Sequence, residues 1–186
     1  MCPYLRAANV TWDGLDLSNV NEMNFPPEQL ETFRLKAEDI LLSEASGSAS
    51  EVGKPALWRG QIENCCFQNT LLRVRSCGPD PRYLLLHFKA DAELGRFSKA
   101  ARGVGIHHLG AKAMEEWPIR LAPFGEQQRI VDEVEKQFTR LDAAVAGLQR
   151  VKANLKRYRA SVLKAACEGR LVPTEAELAR REGRSF

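Results

Sequence analysis

The sequence predicts an α+β fold, a mixed α/β globular domain followed by one long C-terminal α-helix. In residues 1–123, short apolar runs and short amphipathic stretches follow one another without the regular strand–helix alternation of a parallel α/β protein. From Glu126 to Cys167, apolar residues recur at helical spacing without a proline. We therefore expect a globular domain (1–123), a long helix (124–168) and a linker or tail (169–186).

Local patterns predict the elements of the globular domain in chain order. An apolar run predicts a strand at 4–10, and the Asp13-Gly14 pair after it predicts a turn. Two prolines at the entry and Glu28 in the first turn predict a short helix at 26–35. The remaining expected elements are strands at 39–42, 56–60, 70–76 and 117–123, and a helical stretch at 80–102 with a break near Asp91.

Two further segments are expected to be loops. Residues 43–55 are rich in Ser, Gly and Ala, and residues 103–110 are bounded by glycine. Loops on a rigid scaffold are where recognition residues tend to lie, so both are candidate binding segments.

The long helix carries a heptad pattern of branched apolar residues. At about 1.5 Å per residue it would be roughly 60 Å long, about twice the width of a domain of this size. A core helix packed along its own domain is therefore disfavoured, and pairing with another helix is expected. The residues in register are Val134, Leu141, Leu148, Leu155 and Val162.

Composition narrows the class of protein. Of the 186 residues, 44% are apolar and 27% are charged, as in an ordinary globular protein, and the net charge is +3. Acidic residues outnumber basic ones in residues 1–61, and the reverse holds afterwards, which weakly suggests an anionic partner. Five cysteines without a C-x-x-C pair, no signal-peptide pattern and no long apolar run predict a reduced, cytoplasmic protein that does not span a membrane.

No catalytic constellation emerges, so we expect no enzyme activity, no cofactor and no bound metal. The chain has no P-loop, and its Gly-Val-Gly lacks the third glycine of a dinucleotide loop. His87, His107 and His108 have no metal-ligand spacing with the cysteines. Arg102 and His107 have the R-x₄-H spacing of some ribonucleases, which makes a small ribonuclease the least favoured alternative.

Several separated motifs resemble the specificity (S) subunits of type I restriction–modification systems. Pro123, Glu126 and Gln127 resemble the P-P-L-x-E-Q start of that family's long helix, and residues 161–173 resemble its end. Ala122, Phe124 and Cys167 depart from the family pattern. Upstream, five further stretches in the family's order resemble a target recognition domain: residues 4–10, 33–46, 52–60, 65–75 and 103–110.

The resemblance implies a function in DNA recognition without catalysis. In that family two recognition domains and two long helices, packed antiparallel, read the halves of a bipartite target at a fixed separation. Implied partners are double-stranded DNA, methyltransferase (M) subunits, a restriction/translocase (R) subunit and, through the helix, a second copy of the chain. A fragment of a longer subunit and a half-subunit that dimerises both fit the sequence, and a coiled-coil assembly protein without DNA binding is the main alternative.

The resemblance also suggests which residues meet DNA. Residues 43–59 and 64–75 would face the duplex, together with the segment around His107. Lysine and arginine would contact phosphates, whereas amides and histidines are candidates for base edges. Alternatively, Gln68 and Asn69 only form a turn and the histidines pack locally. The expected phosphate contacts are Lys54, Arg59, Arg73, Arg102 and Lys112; the base contacts are Gln68, Asn69, His107 and His108; and partner docking is assigned to Pro123, Glu126 and Gln127.

Overall fold

Ten short strands and six helices make up the part of the chain that the computed structural model describes, residues 1–46, 48–101 and 107–185. One-turn 3₁₀ helices lie at Ala7–Asn9 and Ala49–Glu51. The strands are β1 (Cys2–Leu5), β2 (Val10–Thr11), β3 (Gly14–Leu15), β4 (Asn21–Met23), β5 (Ile40–Ser43), β6 (Ala45–Ser46), β7 (Pro55–Leu57), β8 (Cys66–Phe67), β9 (Leu71–Val74) and β10 (His107–His108). The helices are α1 (Pro27–Phe33), α2 (Pro81–Glu93), α3 (Arg96–Ala100), α4 (Ala111–Glu115), α5 (Phe124–Cys167) and α6 (Glu175–Arg181).

The strands form small sheets rather than one continuous sheet. One sheet has the order β4-β1-β8, in which β1 pairs with β4 antiparallel and with β8 parallel. Another has the order β7-β5-β9 and is antiparallel throughout. β2–β3 and β6–β10 are two-stranded antiparallel pairs. By its contacts the chain divides into two units, Met1–Glu133 and Val134–Phe186.

Strand β5 separates two apolar cores within the first unit. Its side chains alternate in direction, as the pleat of a strand requires, so that Leu41 belongs to one core and Ile40 and Leu42 belong to the other. The first core contains the fully buried Trp58, and the second contains Phe97 with helices α2 and α3 around it. Strand β5 is therefore packed on both faces, and the segments hydrogen-bonded to it are attached at the centre of the first unit.

A buried ion pair anchors the beginning of β5. Asp39 is fully buried, and its carboxylate accepts hydrogen bonds from Arg75 Nε and Nη2, both at 2.7 Å. The backbone N–H of Lys36 donates to the same carboxylate at 2.7 Å. These bonds satisfy a charge that would otherwise be costly to bury, and they fix β9 against the start of β5.

The predicted fold class is confirmed in its coarser form, a mixed α+β structure with a long C-terminal helix at Phe124–Cys167. The expected helix near residue 27 and the strands near residues 40 and 71 also form. The helical stretch is broken near Asp91 as expected: α2 ends at Glu93, and Gly95, with a φ of 67°, precedes α3. Within the described residues no helix combines the length and the apolar composition that a membrane-spanning segment needs.

The strand predicted at 117–123 is wrong. Residues 117–123 form no strand; instead, the Trp117 ring packs in the second core and its Nε1 donates to Asp91 Oδ2 at 2.8 Å. Residues 169–186, expected to be a linker or tail, contain α6. That helix begins with a capping box in which Thr174 and Glu177 bond each other's backbone N–H groups.

Candidate nucleic-acid interface

The three segments expected to face DNA meet at the carboxyl end of β5. The N–H of Ser43 donates to Lys54 O at 3.0 Å, which holds the 43–55 segment. The N–H of Glu44 donates to Thr70 O at 3.0 Å, which holds the turn before β9. The N–H of Leu109 donates to Glu44 O at 2.8 Å, next to the β6–β10 pair. Three segments far apart in sequence are therefore hydrogen-bonded to the consecutive residues Ser43 and Glu44. We call the region formed by these two residues and the three segments bonded to them the β5-end cluster.

Lys54 lies in the β5-end cluster with its charge compensated. Its Nζ donates to Glu51 Oε2, and the side chain is 13% exposed. Trp12, at the tip of the β2–β3 hairpin, donates from Nε1 to Glu51 Oε1 at 3.2 Å. The bond from Lys54 is the main reason that the pKa of Glu51 is lowered from its usual value. To bind a phosphate, Lys54 must therefore exchange Glu51 for the phosphate oxygen.

His108 lies beside an acidic residue that sequence reasoning missed. Its Nδ1 is 3.6 Å from Glu44 Oε1, and more than half of its side chain is exposed. Burial raises the pKa of Glu44, while the interaction with His108 lowers it by a smaller amount. His108 also lines a shallow groove with Lys112 and Glu116, and His107 is half-buried. Glu44 carried no signal in the sequence, because only the β6–β10 pairing brings it to the histidines.

The turn before β9 exposes Asn69. The N–H of Leu71 donates to Gln68 O at 2.9 Å, and the N–H of Gln68 donates to Leu5 O at 2.8 Å. The turn is thus closed by backbone bonds, with Gln68 half-buried and Asn69 exposed. Because Asn69 is exposed, its side-chain amide is open to solvent.

Arg59 and Arg73 lie away from this cluster, towards the other end of β5. Ile40 pairs with Leu57, two residues before Arg59, and Leu41 pairs with Arg73. At about 3.3 Å per residue, the two ends of β5 are roughly 10 Å apart. The predicted DNA-binding residues therefore form two groups, and Arg102 lies outside the described residues.

The guanidinium group of Arg73 is held by the chain itself. Its Nη1 donates to Thr32 O at 2.9 Å and to Arg34 O at 3.1 Å, and the group lies 5.3 Å from the centre of the Phe67 ring. Burial is the main reason that the pKa of Arg73 is lowered. Arg59, by contrast, is exposed.

The three residues expected to dock a partner, at the start of α5, differ in their exposure to solvent. Pro123 and Glu126 are exposed, whereas Gln127 is 4% exposed. Its Oε1 accepts from the N–H of Asp80 at 2.8 Å, and its Nε2 donates to Ala122 O at 2.7 Å. The Gln127 amide is therefore occupied by bonds within the chain.

Beyond its first turns, α5 presents a row of large apolar side chains that we call the apolar face of α5. They are between 44% and 69% exposed, whereas Val134 and Val162 at the two ends of the heptad row are half-buried. Singly exposed apolar residues are common, but a row at heptad spacing is typical of a helix that pairs. The face consists of Phe138, Leu141, Val145, Leu148, Val151, Leu155 and Tyr158.

The described residues offer no group of three His, Cys, Asp or Glu side chains that could hold a metal ion. The side chains of the β5-end cluster can instead bind a ligand through hydrogen bonds and ion pairs.

Comparison with known proteins identifies one group of relatives. The chain is 28% identical over 175 residues to the type I restriction enzyme StySPI specificity subunit of Salmonella potsdam, a match that covers 91% of this chain and 36% of the relative. It is 28% identical over 172 residues to the EcoKI specificity subunit of Escherichia coli K12, with the same coverage. The EcoBI specificity subunit of Escherichia coli matches 60% of the chain at 28% identity. No protein-family model matches the chain.

The chain thus spans about a third of the length of the curated relatives it matches. The alignments cover both the globular part and the long helix, since they extend over 91% of the chain. The resemblance predicted from the motifs is confirmed: along most of its length, this chain is similar to type I restriction enzyme specificity subunits.

Proposed function

We propose that the chain is a sequence-specific DNA recognition subunit of a type I restriction–modification system. It reads one half of a bipartite target and directs partner methyltransferase and nuclease subunits, with no catalysis of its own. The observation that carries this proposal is the match over 91% of the chain to proteins named specificity subunits. The proposal is also supported by the three candidate segments that meet at the end of β5, because residues that read a DNA sequence must be held at fixed positions relative to one another.

Within the β5-end cluster, lysine and amide side chains have different tasks. Lys54 exchanges Glu51 for a phosphate, which positions the duplex without reading its sequence. Asn69, exposed at the tip of its turn, and Gln68 are suited to base edges, since amides pair bidentately with adenine. His107 and His108 face the same region through the β6–β10 pair. Arg59 and Lys112, both exposed, extend the phosphate contacts.

Helix α5 pairs two recognition units. Its apolar face meets the same face of a second copy in an antiparallel coiled coil, which places two reading surfaces at a fixed separation. A pair of identical chains has two-fold symmetry, so its bipartite target is palindromic. The exposed Pro123 and Glu126 at the start of the helix form the docking point for a methyltransferase subunit.

Gel retardation with the chain and a methyltransferase subunit from the same genome tests the proposal. We expect a sequence-specific complex with DNA and no degradation of RNA by the chain. Lys54→Ala should weaken binding to all sequences alike and reduce the salt slope by about one unit, because one phosphate contact is lost. The matched control is Lys36→Ala, an exposed lysine before the opposite end of β5, which should leave the salt slope unchanged.

A second pair of variants tests base reading. Asn69→Ala should cost about 1–3 kcal/mol on the cognate site and little on other sequences. The control Asn24→Ala removes another exposed amide, which directly follows β4 and is not part of the β5-end cluster, and it should have no effect. A chain that forms helix-mediated complexes with no DNA binding would instead support the assembly-protein alternative, and degradation of RNA would support a ribonuclease.

A further inference from the structure

The side chain of Gln127 joins the first turns of α5 to the globular part. It is 4% exposed, yet both ends of its amide are bonded: Oε1 accepts from the N–H of Asp80, and Nε2 donates to Ala122 O. Asp80 lies 47 residues away in sequence. When a buried amide accepts a hydrogen bond from one segment and donates one to another, it fixes the relative position of the two segments more narrowly than apolar contact does.

The surrounding contacts strengthen this connection. Asp80 is the N-cap of α2 and accepts from the N–H of Arg82 at 2.8 Å. The Nη1 of Arg82 lies 3.9 Å from Oδ1 of Asp132, which is on the third turn of α5. Val131, one turn after Gln127 and on the same helix face, is fully buried. The start of α2 and the start of α5 are therefore bonded at more than one place, and Gln127 makes the bonds that lie deepest.

We propose that Gln127 is the positioning residue that fixes the base of α5 on the globular part, and that it thereby sets the separation at which two half-sites are read. The second part rests on the proposed function; the first part does not. Gln127 is then a structural joint, distinct from the exposed docking residues beside it.

The length of α5 makes a small tilt at its base large at its far end. From Glu133 the helix continues to Cys167, which is about 50 Å at 1.5 Å per residue. A tilt of about 4° at the base moves the far end by roughly 3.5 Å, close to the ~3.4 Å rise of one DNA base pair. A loosened joint that tilts by only a few degrees would therefore be enough to change the half-site spacing by about one base pair.

Matched variants separate this role from general destabilisation. Gln127→Met keeps the length of the side chain but removes both the donor and the acceptor. Gln127→Asn keeps the amide but is one methylene too short to hold both partners, and it serves if the methionine variant does not fold. The control is Gln128→Met, because Gln128 is the exposed neighbour on the same turn.

Hydrogen exchange of the Asp80 amide, measured by NMR without DNA, tests the joint directly. We expect exchange at least tenfold faster in the Gln127 variants than in the parent chain, and no change in the control. Spin labels on cysteines introduced at Ala90 on α2 and Ala143 on α5, with the accessible Cys2, Cys77 and Cys167 replaced by Ser, should give a broader distance distribution in the Gln127 variants only. An unchanged Asp80 exchange rate together with an unchanged distribution would overturn the proposed joint.

Methylation of DNA with altered spacing tests the second part. With the methyltransferase partner present, the parent chain and the control should modify targets at one half-site separation only. For each protein we compare the modification rate of targets whose half-site separation is one base pair longer or shorter with the rate of the cognate target. This ratio should be several-fold higher in the Gln127 variants than in the parent chain. If exchange at Asp80 accelerates while the spacing preference is unchanged, the spacing role is wrong; if the parent chain directs no modification, the proposed function is wrong and the joint still stands on the exchange result.

Discussion

If α5 pairs with a second copy as proposed, replacing Leu148 by Asp should convert the dimer into a monomer. Leu148 lies in the middle of the apolar face of α5 and is 69% exposed. Burying about two thirds of a leucine side chain is worth about 1–2 kcal/mol, and two-fold symmetry places the residue in the interface twice. The loss is therefore about 2–4 kcal/mol, and burial of two carboxylates adds to it. We expect the dimer to be weaker by at least about 100-fold.

Sedimentation velocity over a range of micromolar concentrations measures this effect, with circular dichroism to verify that the helix persists. The matched control is Ala146→Asp, which adds the same charge at an exposed position off the apolar face and should leave association unchanged. If the parent chain is monomeric at tens of micromolar with its helix intact, self-pairing is wrong and the face must meet another subunit. Equal association of the Leu148→Asp variant and the parent would also refute the reasoning.

Two predictions concern the globular part. Arg75→Ala should lower the free energy of unfolding by about 2–3 kcal/mol in urea titrations, because it leaves the Asp39 carboxylate buried without its partner. The loss is smaller than for a fully buried pair because a third of the arginine side chain is exposed to solvent. A loss below about 0.5 kcal/mol would contradict the anchoring role of the pair. Burial raises the pKa of both Cys65 and Cys66 to about 12, so at pH 8 roughly 10⁻⁴ of each is thiolate, and iodoacetamide should label the exposed Cys77 long before them. Comparable labelling of all three in the folded protein would count against this packing.

The elements that the sequence predicts correctly depend on local signals. Helix α5 follows from a heptad pattern within one segment, and β5 follows from an apolar run. Strand β8 was missed because its two residues pair with β1, more than 60 residues earlier, and no local pattern marks such a contact. The alternation around Trp117 suggested a strand, but it reflects packing into the second core. The capping box of α6 was visible in the sequence and could have predicted that helix.

For the candidate site, the sequence predicts residue types but not their electrostatic partners. The positive charge of Lys54 was evident, whereas its pairing with Glu51 depends on the fold of the loop. Arg73 was indistinguishable from a phosphate-binding arginine until its bonds to two backbone carbonyls were seen. Gln127 matched a motif, yet its burial against α2 arises from a contact that sequence spacing cannot reveal.

The central claim is that this chain determines which DNA sequence is modified. Sequencing of modified bases in cells that express the methyltransferase subunit, with and without the chain, tests it most directly. We predict modification only when the chain is present, at a bipartite palindromic motif, with relaxed base preference in the Asn69→Ala variant and not in the Asn24→Ala control. Modification at the same sites without the chain, or at a continuous or asymmetric motif, would contradict the account.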